Sequence, residues 1–233
     1  LQVDVLIHPV QSRPCHPQTP TRMNADHPFA LLGLAPELLN AVADLGFTTP
    51  TAVQSQAIPL ALHDPDAHTQ NDLMVSSQTG SGKTAAFLLP VLHTLLSQQQ
   101  AKLAEEQRRW AEQVAAAEAA GEPLPKRARR KDPTNPRNFK PAVPGALVLC
   151  PTRELAQQVA HDAIDLVKHC KGLRIACVVG GLPYAVQIAR LQNADLVVAT
   201  PGRLLDLQRS NHLKLDQVQF LVVDEADRML DLG

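Results

Sequence analysis

Residues 80–84 (GSGKT) have the composition of a loop that wraps a polyphosphate. Glycines let backbone N–H groups turn inward, and a helix N-terminus adds a favourable dipole. Lys83 would then reach the β- and γ-phosphates, and the Thr84 hydroxyl would hold Mg²⁺. A lone Gly-Lys-Thr is more often an ordinary helix start, and Ser77 stands where the full pattern has glycine. The apolar run 72–77 before the loop and the apolar helix after it favour the phosphate site.

An acidic segment follows another apolar run and supplies the second half of such a site. Residues 220–223 (FLVV) lead directly into Asp224 and Glu225. We expect Asp224 to hold Mg²⁺ through water and Glu225 to polarise the attacking water. Taken alone, these acids also suit a helix N-terminus. Their order and context relative to Lys83 favour the catalytic interpretation.

Apolar runs and helical patterns alternate along the chain. The helical patterns include two within 29–62, one after the phosphate loop through residue 96, and others at 153–169 and 184–193. This alternation predicts an α/β fold with a mostly parallel sheet and helices on both faces. The five runs expected to form strands are 72–77, 146–150, 174–179, 195–199 and 219–223.

Residues 98–143 interrupt the alternation and are expected to form an insertion. A helical segment at 101–120 precedes a proline-punctuated basic stretch with seven basic residues and one acidic residue, a local charge of +6. A solvated surface loop is the favoured interpretation, and a mobile basic arm that binds a phosphate backbone is the alternative. The basic residues are Lys126, Arg127, Arg129, Arg130, Lys131, Arg137 and Lys140.

The composition of the 233 residues suits a folded protein, with 45% hydrophobic and 19% charged residues. We expect residues 1–22, which contain four prolines and lack apolar periodicity, to be a disordered extension before one domain at 23–233. Four scattered cysteines predict neither a disulfide framework nor a zinc site. With no apolar stretch long enough to cross a bilayer, the sequence predicts a cytoplasmic protein without a membrane partner.

Residues 224–227 (DEAD) and five further segments resemble the motifs of the DEAD-box RNA helicases, in the family's order. The resemblance spans 29–233 and implies a RecA-like P-loop domain. Residues 224–233, in which RMLDLG follows the acidic tetrad, look most like the bacterial RhlE-type subgroup. The other segments are similar to the Q motif (46–54), motif I (77–84, with Ser77 where the family more often has alanine), motif Ia (151–156), the glycine doublet (180–181) and motif Ib (200–203).

The resemblance implies ATP and Mg²⁺ as cofactors. Gln54 would pair with the adenine edge, Phe47 would stack on the base, and Phe29 would be an upstream aromatic of the site. Either aromatic could instead be a core residue. Asp224, Glu225 and Lys83 would be catalytic, with Thr84 and Asp224 at the metal. The expected nucleotide-binding residues are Phe47, Gln54, Thr79, Gly80, Ser81, Gly82, Lys83, Thr84 and Asp227.

The resemblance also implies an RNA partner, gripped by its sugar-phosphate backbone without regard to sequence. Seven aromatic residues in the chain give little support to base stacking. Arginines supply forked donors for phosphate and glycines allow close approach, although such arginines are commonly salt-bridged surface residues. The expected RNA-binding residues are Arg153, Gly181, Thr200, Gly202 and Arg203.

The function expected from the resemblance is ATP-dependent RNA unwinding. The family's core has a second RecA-like domain, and the sequence stops at Gly233. We therefore expect this chain to be an ATP-binding half that cannot unwind RNA alone, with an open sheet edge beside the acidic motif. Two alternatives are a P-loop ATPase that remodels DNA or protein, and a non-catalytic fragment that binds nucleotide or RNA.

Overall fold

A computed structural model describes residues 28–62, 72–78, 80–121, 123, 125–126 and 140–231. Its sheet strands are β1 (Ala146–Leu149), β2 (Ile175–Val178), β3 (Leu196–Ala199) and β4 (Phe220–Val223). A short 3₁₀ helix (Pro28–Leu32) precedes the α-helices. The helices are α1 (Pro36–Asp44), α2 (Ala52–Ala61), α3 (Lys83–Ala120), α4 (Arg153–Leu166), α5 (Tyr184–Leu191), α6 (Pro201–Arg209) and α7 (Ala226–Asp231).

The four strands form one parallel sheet in the order β2-β3-β1-β4. They stand in direct register, because Ala146 lies opposite both Leu196 and Phe220, and Leu196 also lies opposite Ile175. The sequence prediction of a parallel α/β sheet is confirmed, and each of these strands falls within a predicted run.

Both faces of the sheet are covered, because successive side chains of a strand point to opposite sides. Ala146 and Val148 of β1 belong to one buried cluster with residues of α1, α3 and α4. Leu147 belongs to a second cluster with residues of α5 and α6, including Leu204. Helices on both faces are therefore confirmed as well.

Local capping signals define where several helices begin. Thr51 and Gln54 form a capping box at α2, in which each side chain accepts a hydrogen bond from the other residue's backbone N–H. The Thr152 hydroxyl likewise accepts a hydrogen bond from the Leu155 N–H at α4. These caps satisfy backbone donors that a helix cannot pair internally.

The predicted strand at 72–77 is wrong for this structure. Residues 72–78 are irregular, and Met74 is 99% exposed. A short apolar run becomes a strand only where a neighbouring strand supplies hydrogen-bond partners, and within the described residues no ladder joins this run to the sheet. β4 is an edge strand, as expected, and its Leu221 is 61% exposed.

The helix after the phosphate loop does not stop at residue 96. It continues without a break to Ala120, so the predicted helix at 101–120 is the distal part of α3 rather than a separate element. Ala142, which follows the basic stretch in sequence, is buried and forms a parallel bridge with Leu213. The buried part of the domain therefore includes Ala142, which lies within the expected insertion at 98–143.

Some sequence predictions concern residues outside the described ranges. These are the disordered extension at 1–22 and most of the basic residues between 126 and 140. In the described part of the chain, no helix combines the length and the apolar character that crossing a bilayer requires.

A hydrogen bond between α3 and the start of α1 makes stability depend on pH. The Ala35 N–H donates to His93 Nδ1 at 3.0 Å, so this imidazole nitrogen must be unprotonated. Burial lowers the pKa of His93 below its ordinary value of 6.5. The stabilisation of the folded state by this hydrogen bond is therefore complete above that ordinary pKa. It is lost as the pH falls toward the lower pKa that His93 has in the folded state.

We predict that His93→Asn, which keeps an acceptor that does not titrate, weakens this dependence. Between pH 7.5 and 5.5 the wild type should lose about 1 kcal/mol more unfolding free energy than the variant, measured by urea denaturation. His161→Asn removes an exposed histidine on α4 and should retain the wild-type dependence. Equal losses in the wild type and His93→Asn would refute the role of His93.

Candidate functional site

Several candidate residues follow the carboxyl ends of the four parallel strands. Arg153 begins α4 just after β1, and Gly181 lies between β2 and α5. Thr200 directly follows β3, and Asp224 directly follows β4. Because the strands are parallel and in register, their carboxyl ends share one edge of the sheet. The fold therefore gathers segments that are more than 70 residues apart in sequence.

The phosphate loop closes around the amine of its own lysine. Lys83 Nζ donates to the backbone carbonyls of Ser77 and Gln78, the second at 3.2 Å. The hydroxyls of Ser77 and Ser81 are 2.7 Å apart and bridge the two sides of the loop. A phosphate that uses Lys83 must draw the amine away from these carbonyls. Thr79 lies outside the described residues.

Gln54 connects the first turn of α2 to the phosphate loop. Its side chain is buried, its Oε1 accepts from the Thr51 N–H at 3.0 Å, and its Nε2 donates to the Gly82 carbonyl at 3.2 Å. A carboxamide has two N–H groups and two acceptor lone pairs, so one of each remains after these bonds. The remaining N–H group and lone pair match the donor and acceptor that pairing with the adenine edge requires. Contact between Gln54 and adenine stays a prediction.

A cavity of about 300 Å³ lies beside Gln54 and the start of α3. Phe47 forms part of its wall and stacks on Phe29, with ring centroids 6.4 Å apart. Phe29 is fully buried in the core, so of the two interpretations for this residue the structure supports the core. The lining residues are Leu45, Phe47, Gln54, Gly82, Thr84, Ala85, Asp162, Asp165 and Leu166.

The acidic pair sits where the end of β4 approaches the phosphate loop. Burial and the neighbouring charge of Glu225 raise the pKa of Asp224, while a hydrogen bond from the Glu225 N–H and the charge of Lys83 oppose the rise. The Glu225 carboxylate accepts a hydrogen bond from Arg228 Nη1 at 2.7 Å. Asp227 is exposed in the first turn of α7. The catalytic and nucleotide roles of these acids stay predictions.

The donors present fit a magnesium ion that is bound mainly through phosphate and water. Thr84 and Asp224 offer a hydroxyl and a carboxylate, the oxygen ligands that Mg²⁺ prefers. Among the residues that the structure describes, no group of three or more His, Cys, Asp or Glu side chains could hold a metal by itself. This fits an ion that keeps several waters and binds one or two protein groups.

The expected RNA-binding residues converge around the glycine doublet. Gly181 has a φ of +77°, and a Cβ built there would lie 2.5 Å from Nη1 of Arg153. Arg203 Nη1 donates to the carbonyl of Leu182 at 3.2 Å, so the two arginines contact adjacent residues of one loop. A Cβ at Gly202 would meet no atom within 4 Å, which leaves open space there.

Thr200 is the N-cap residue of α6, but its side chain makes no capping hydrogen bond. Its backbone N–H donates to the Val178 carbonyl at 3.1 Å. This threonine and the two arginines therefore lie at the same end of the sheet. Contact between any of these residues and RNA stays a prediction.

Gln187 holds the glycine-doublet loop, and no pattern in the sequence indicates this role. It is 1% exposed, and its amide bonds to the Val179 N–H (3.1 Å), the Val179 carbonyl (3.0 Å) and the Leu182 carbonyl (3.0 Å). A lone glutamine on a short amphipathic helix is ordinarily expected at the surface. Only the folded loop shows that three backbone groups require it.

Comparison with known proteins assigns these motifs to a family. The profile described as DEAD/DEAH box helicase matches residues 51–233. The DEAD-box ATP-dependent RNA helicase 52A of Oryza sativa subsp. japonica is 39% identical over 206 residues, which cover 88% of this chain and 29% of that protein. The ATP-dependent RNA helicase RhlB of Pseudomonas aeruginosa is 37% identical, over 88% of this chain and 42% of its own.

Solved structures of RNA helicases have a similar fold. The Chaetomium thermophilum RNA helicase Prp28 bound to ADP aligns with a TM-score of 0.61 at 33% identity, over 87% of this chain and 39% of that one. Saccharomyces cerevisiae Dbp5 bound to RNA and ADP BeF3 aligns with a TM-score of 0.58 at 31% identity, over 88% and 40%. This chain spans less than half the length of each of these proteins.

The contact between Gln54 and the phosphate loop predicts unequal effects of two glycine substitutions. Gly80 and Gly82 both have positive φ, so alanine strains the backbone at either position by about 1 kcal/mol. Only at Gly82 would the added Cβ lie 2.5 Å from Gln54 Nε2 and displace this buried amide. We expect Gly82→Ala to lose about 1–2 kcal/mol more unfolding free energy than Gly80→Ala, measured without nucleotide. Equal losses would contradict a structural role for the Gln54–Gly82 contact.

Proposed function

This chain belongs to the DEAD/DEAH box helicase family, and on that premise we propose that it supplies the ATP-binding and RNA-binding domain of an ATP-dependent RNA helicase. The observation that carries the proposal is the shared sheet edge, where Asp224 follows β4 close to the charge of Lys83 from the phosphate loop, and the two arginines follow β1 and β3. The ADP bound to Prp28 and the RNA bound to Dbp5 support this assignment of ligands.

In the proposed mechanism, nucleotide binding rearranges the phosphate loop. Lys83 exchanges the carbonyls of Ser77 and Gln78 for phosphate oxygens, and the loop N–H groups turn toward the same oxygens. Gln54 uses its remaining donor and acceptor on adenine, whose edge differs from that of guanine. Phe47 provides an apolar wall for the base.

The phosphoryl-transfer step depends on the acids at the end of β4. Mg²⁺, held through Thr84 and Asp224, would neutralise charge on the transferring phosphate. Glu225 orients the attacking water, for which its carboxylate must direct an oxygen away from Arg228. Lys83 stabilises the charge that develops on the phosphate oxygens.

The RNA interface binds a backbone rather than bases. Arg153 and Arg203 offer guanidinium forks to successive phosphates, and the open space at Gly202 allows close approach of the strand. Gly181 leaves room for the Arg153 guanidinium at the same edge. Coupling of hydrolysis to strand separation would involve a second RecA-like domain, which we propose for the whole protein along with a cytoplasmic location. We also propose the RhlE-type subgroup, on residues 224–233 alone. A closer match of this segment to RhlB-type proteins than to RhlE-type proteins would reject the subgroup.

Substitution of one residue on each side of the edge tests the proposed function. Lys83→Ala should raise the Kd for Mg²⁺-ADP by about tenfold or more and leave the Kd for single-stranded RNA within about twofold, because charge-assisted hydrogen bonds contribute about 1.5–3 kcal/mol. Arg153→Ala should raise the Kd for single-stranded RNA by about tenfold or more and leave the Kd for Mg²⁺-ADP within about twofold. Fluorescence anisotropy measures both constants. Lys171→Ala, which removes an exposed cation after α4, controls for the loss of one charge.

Two outcomes would reject the proposal. Absence of nucleotide binding to the wild type would remove the basis of the proposal, and loss of both ligands in both variants would contradict separate sites.

The alternative of a P-loop ATPase of another class is tested with Gln54→Ala. This variant should reduce the preference for ATP over GTP only if Gln54 contacts adenine.

The alternative of a non-catalytic RNA-binding fragment predicts that the basic stretch dominates RNA affinity. Deleting 98–143 would cut α3 and remove the buried Ala142, so glutamine substitution of the seven basic residues is the cleaner test. We expect a partial loss of RNA affinity with a shallower salt dependence. Complete loss would favour the non-catalytic fragment.

A further inference from the structure

Arg203 is held from several sides before any ligand is bound. Its Nη1 donates to the Leu182 carbonyl at 3.2 Å, and its guanidinium carbon lies 4.5 Å from the centre of the Tyr184 ring. Asp206, one turn further along α6, is 4.0 Å from its Nε. The Arg203 side chain is only 13% exposed, although arginine side chains usually extend into solvent.

The two groups that clamp Arg203 are themselves fixed. Gln187 donates to the same Leu182 carbonyl at 3.0 Å and bonds to both backbone groups of Val179. Tyr184 is the first residue of α5, directly after this loop, so the loop anchored by Gln187 sets the position of its ring. The clamp is therefore built on a buried amide rather than on a free loop.

We propose that Tyr184 is a positioning residue that holds the Arg203 guanidinium ready for an RNA phosphate. The inference rests on the proposed RNA-binding function of this sheet edge. A planar guanidinium stacks favourably on an aromatic face, and this contact leaves its in-plane N–H donors available. Leu182 uses one of the five donors, and the fork retains others for phosphate.

The physical benefit is a lower entropic cost of RNA binding. An unrestrained arginine has many rotamers, and part of that rotamer entropy is lost when the side chain binds a phosphate. In this protein the stacking contact restricts the side chain in the folded domain already. Tyr184 is 39% exposed, so it contributes little to the core, and its truncation should not unfold the domain.

A double-mutant cycle on RNA affinity tests the proposal. We would measure the Kd for a single-stranded oligouridine RNA with Tyr184→Ala, Arg203→Ala and the double variant. Tyr184→Ala should weaken binding about fivefold, from a cation–π contribution of about 1 kcal/mol, and should have no further effect once Arg203 is replaced. Tyr184→Phe, which keeps the ring, should bind RNA like the wild type, whereas Tyr184→Leu should resemble Tyr184→Ala.

Two controls separate positioning from a general structural effect. Val186→Ala alters an exposed residue of the same helix and should leave RNA affinity unchanged. The Kd for Mg²⁺-ADP should stay at the wild-type value in every variant.

Additive effects of Tyr184→Ala and Arg203→Ala would overturn the proposal, because Tyr184 would then act independently of Arg203. Equal weakening by Tyr184→Phe and Tyr184→Ala would also overturn it, since the hydroxyl rather than the ring would be responsible. If Arg203→Ala leaves RNA affinity unchanged in the wild-type background, the proposed RNA interface at Arg203 itself fails.

Discussion

In-register pairing of four short parallel strands determines where the candidate residues that follow these strands lie. β1 pairs with β3 on one side and β4 on the other, and the four strands end level with one another. The residues that follow each strand therefore emerge side by side, although the sequence separates Arg153 from Asp224 by 71 positions. A shift in register would move one motif along the edge and break the shared site.

Buried carboxamides then fix the two loops on which the chemistry depends. Gln54 ties the phosphate loop to α2, and Gln187 ties the glycine-doublet loop to α5. Each amide satisfies backbone groups that would otherwise be costly to bury, so hydrogen bonds hold these loops, in addition to the apolar packing of Val179 and Leu182. In this way a sheet built from apolar strands can present polar loops at a defined spacing.

Much of this architecture is predictable from the sequence, because alternating apolar runs and helical periodicity carry the fold. The strand prediction fails at 72–77, where apolar character is present but no ladder partner is available in the described chain. The sequence prediction ends one helix at residue 96 and begins another at residue 101, whereas the structure has one continuous helix. Residues 97–100 (SQQQ) contain neither glycine nor proline, so they do not interrupt the helix. Gln187 and the stacking of Tyr184 on Arg203 were not foreseen, because a single polar or aromatic side chain leaves no periodic signal.

We propose that one edge of the sheet presents two separate binding surfaces, one for nucleotide and one for RNA. Hydrogen exchange of the backbone amides, followed by mass spectrometry with each ligand added separately, distinguishes the two surfaces. We expect a non-hydrolysable ATP analogue with Mg²⁺ to slow exchange in 51–54 and 80–86, and single-stranded RNA to slow it in 151–156, 180–184 and 200–204. Protection of the same segments by both ligands, or protection by RNA confined to residues 126–140, would contradict it.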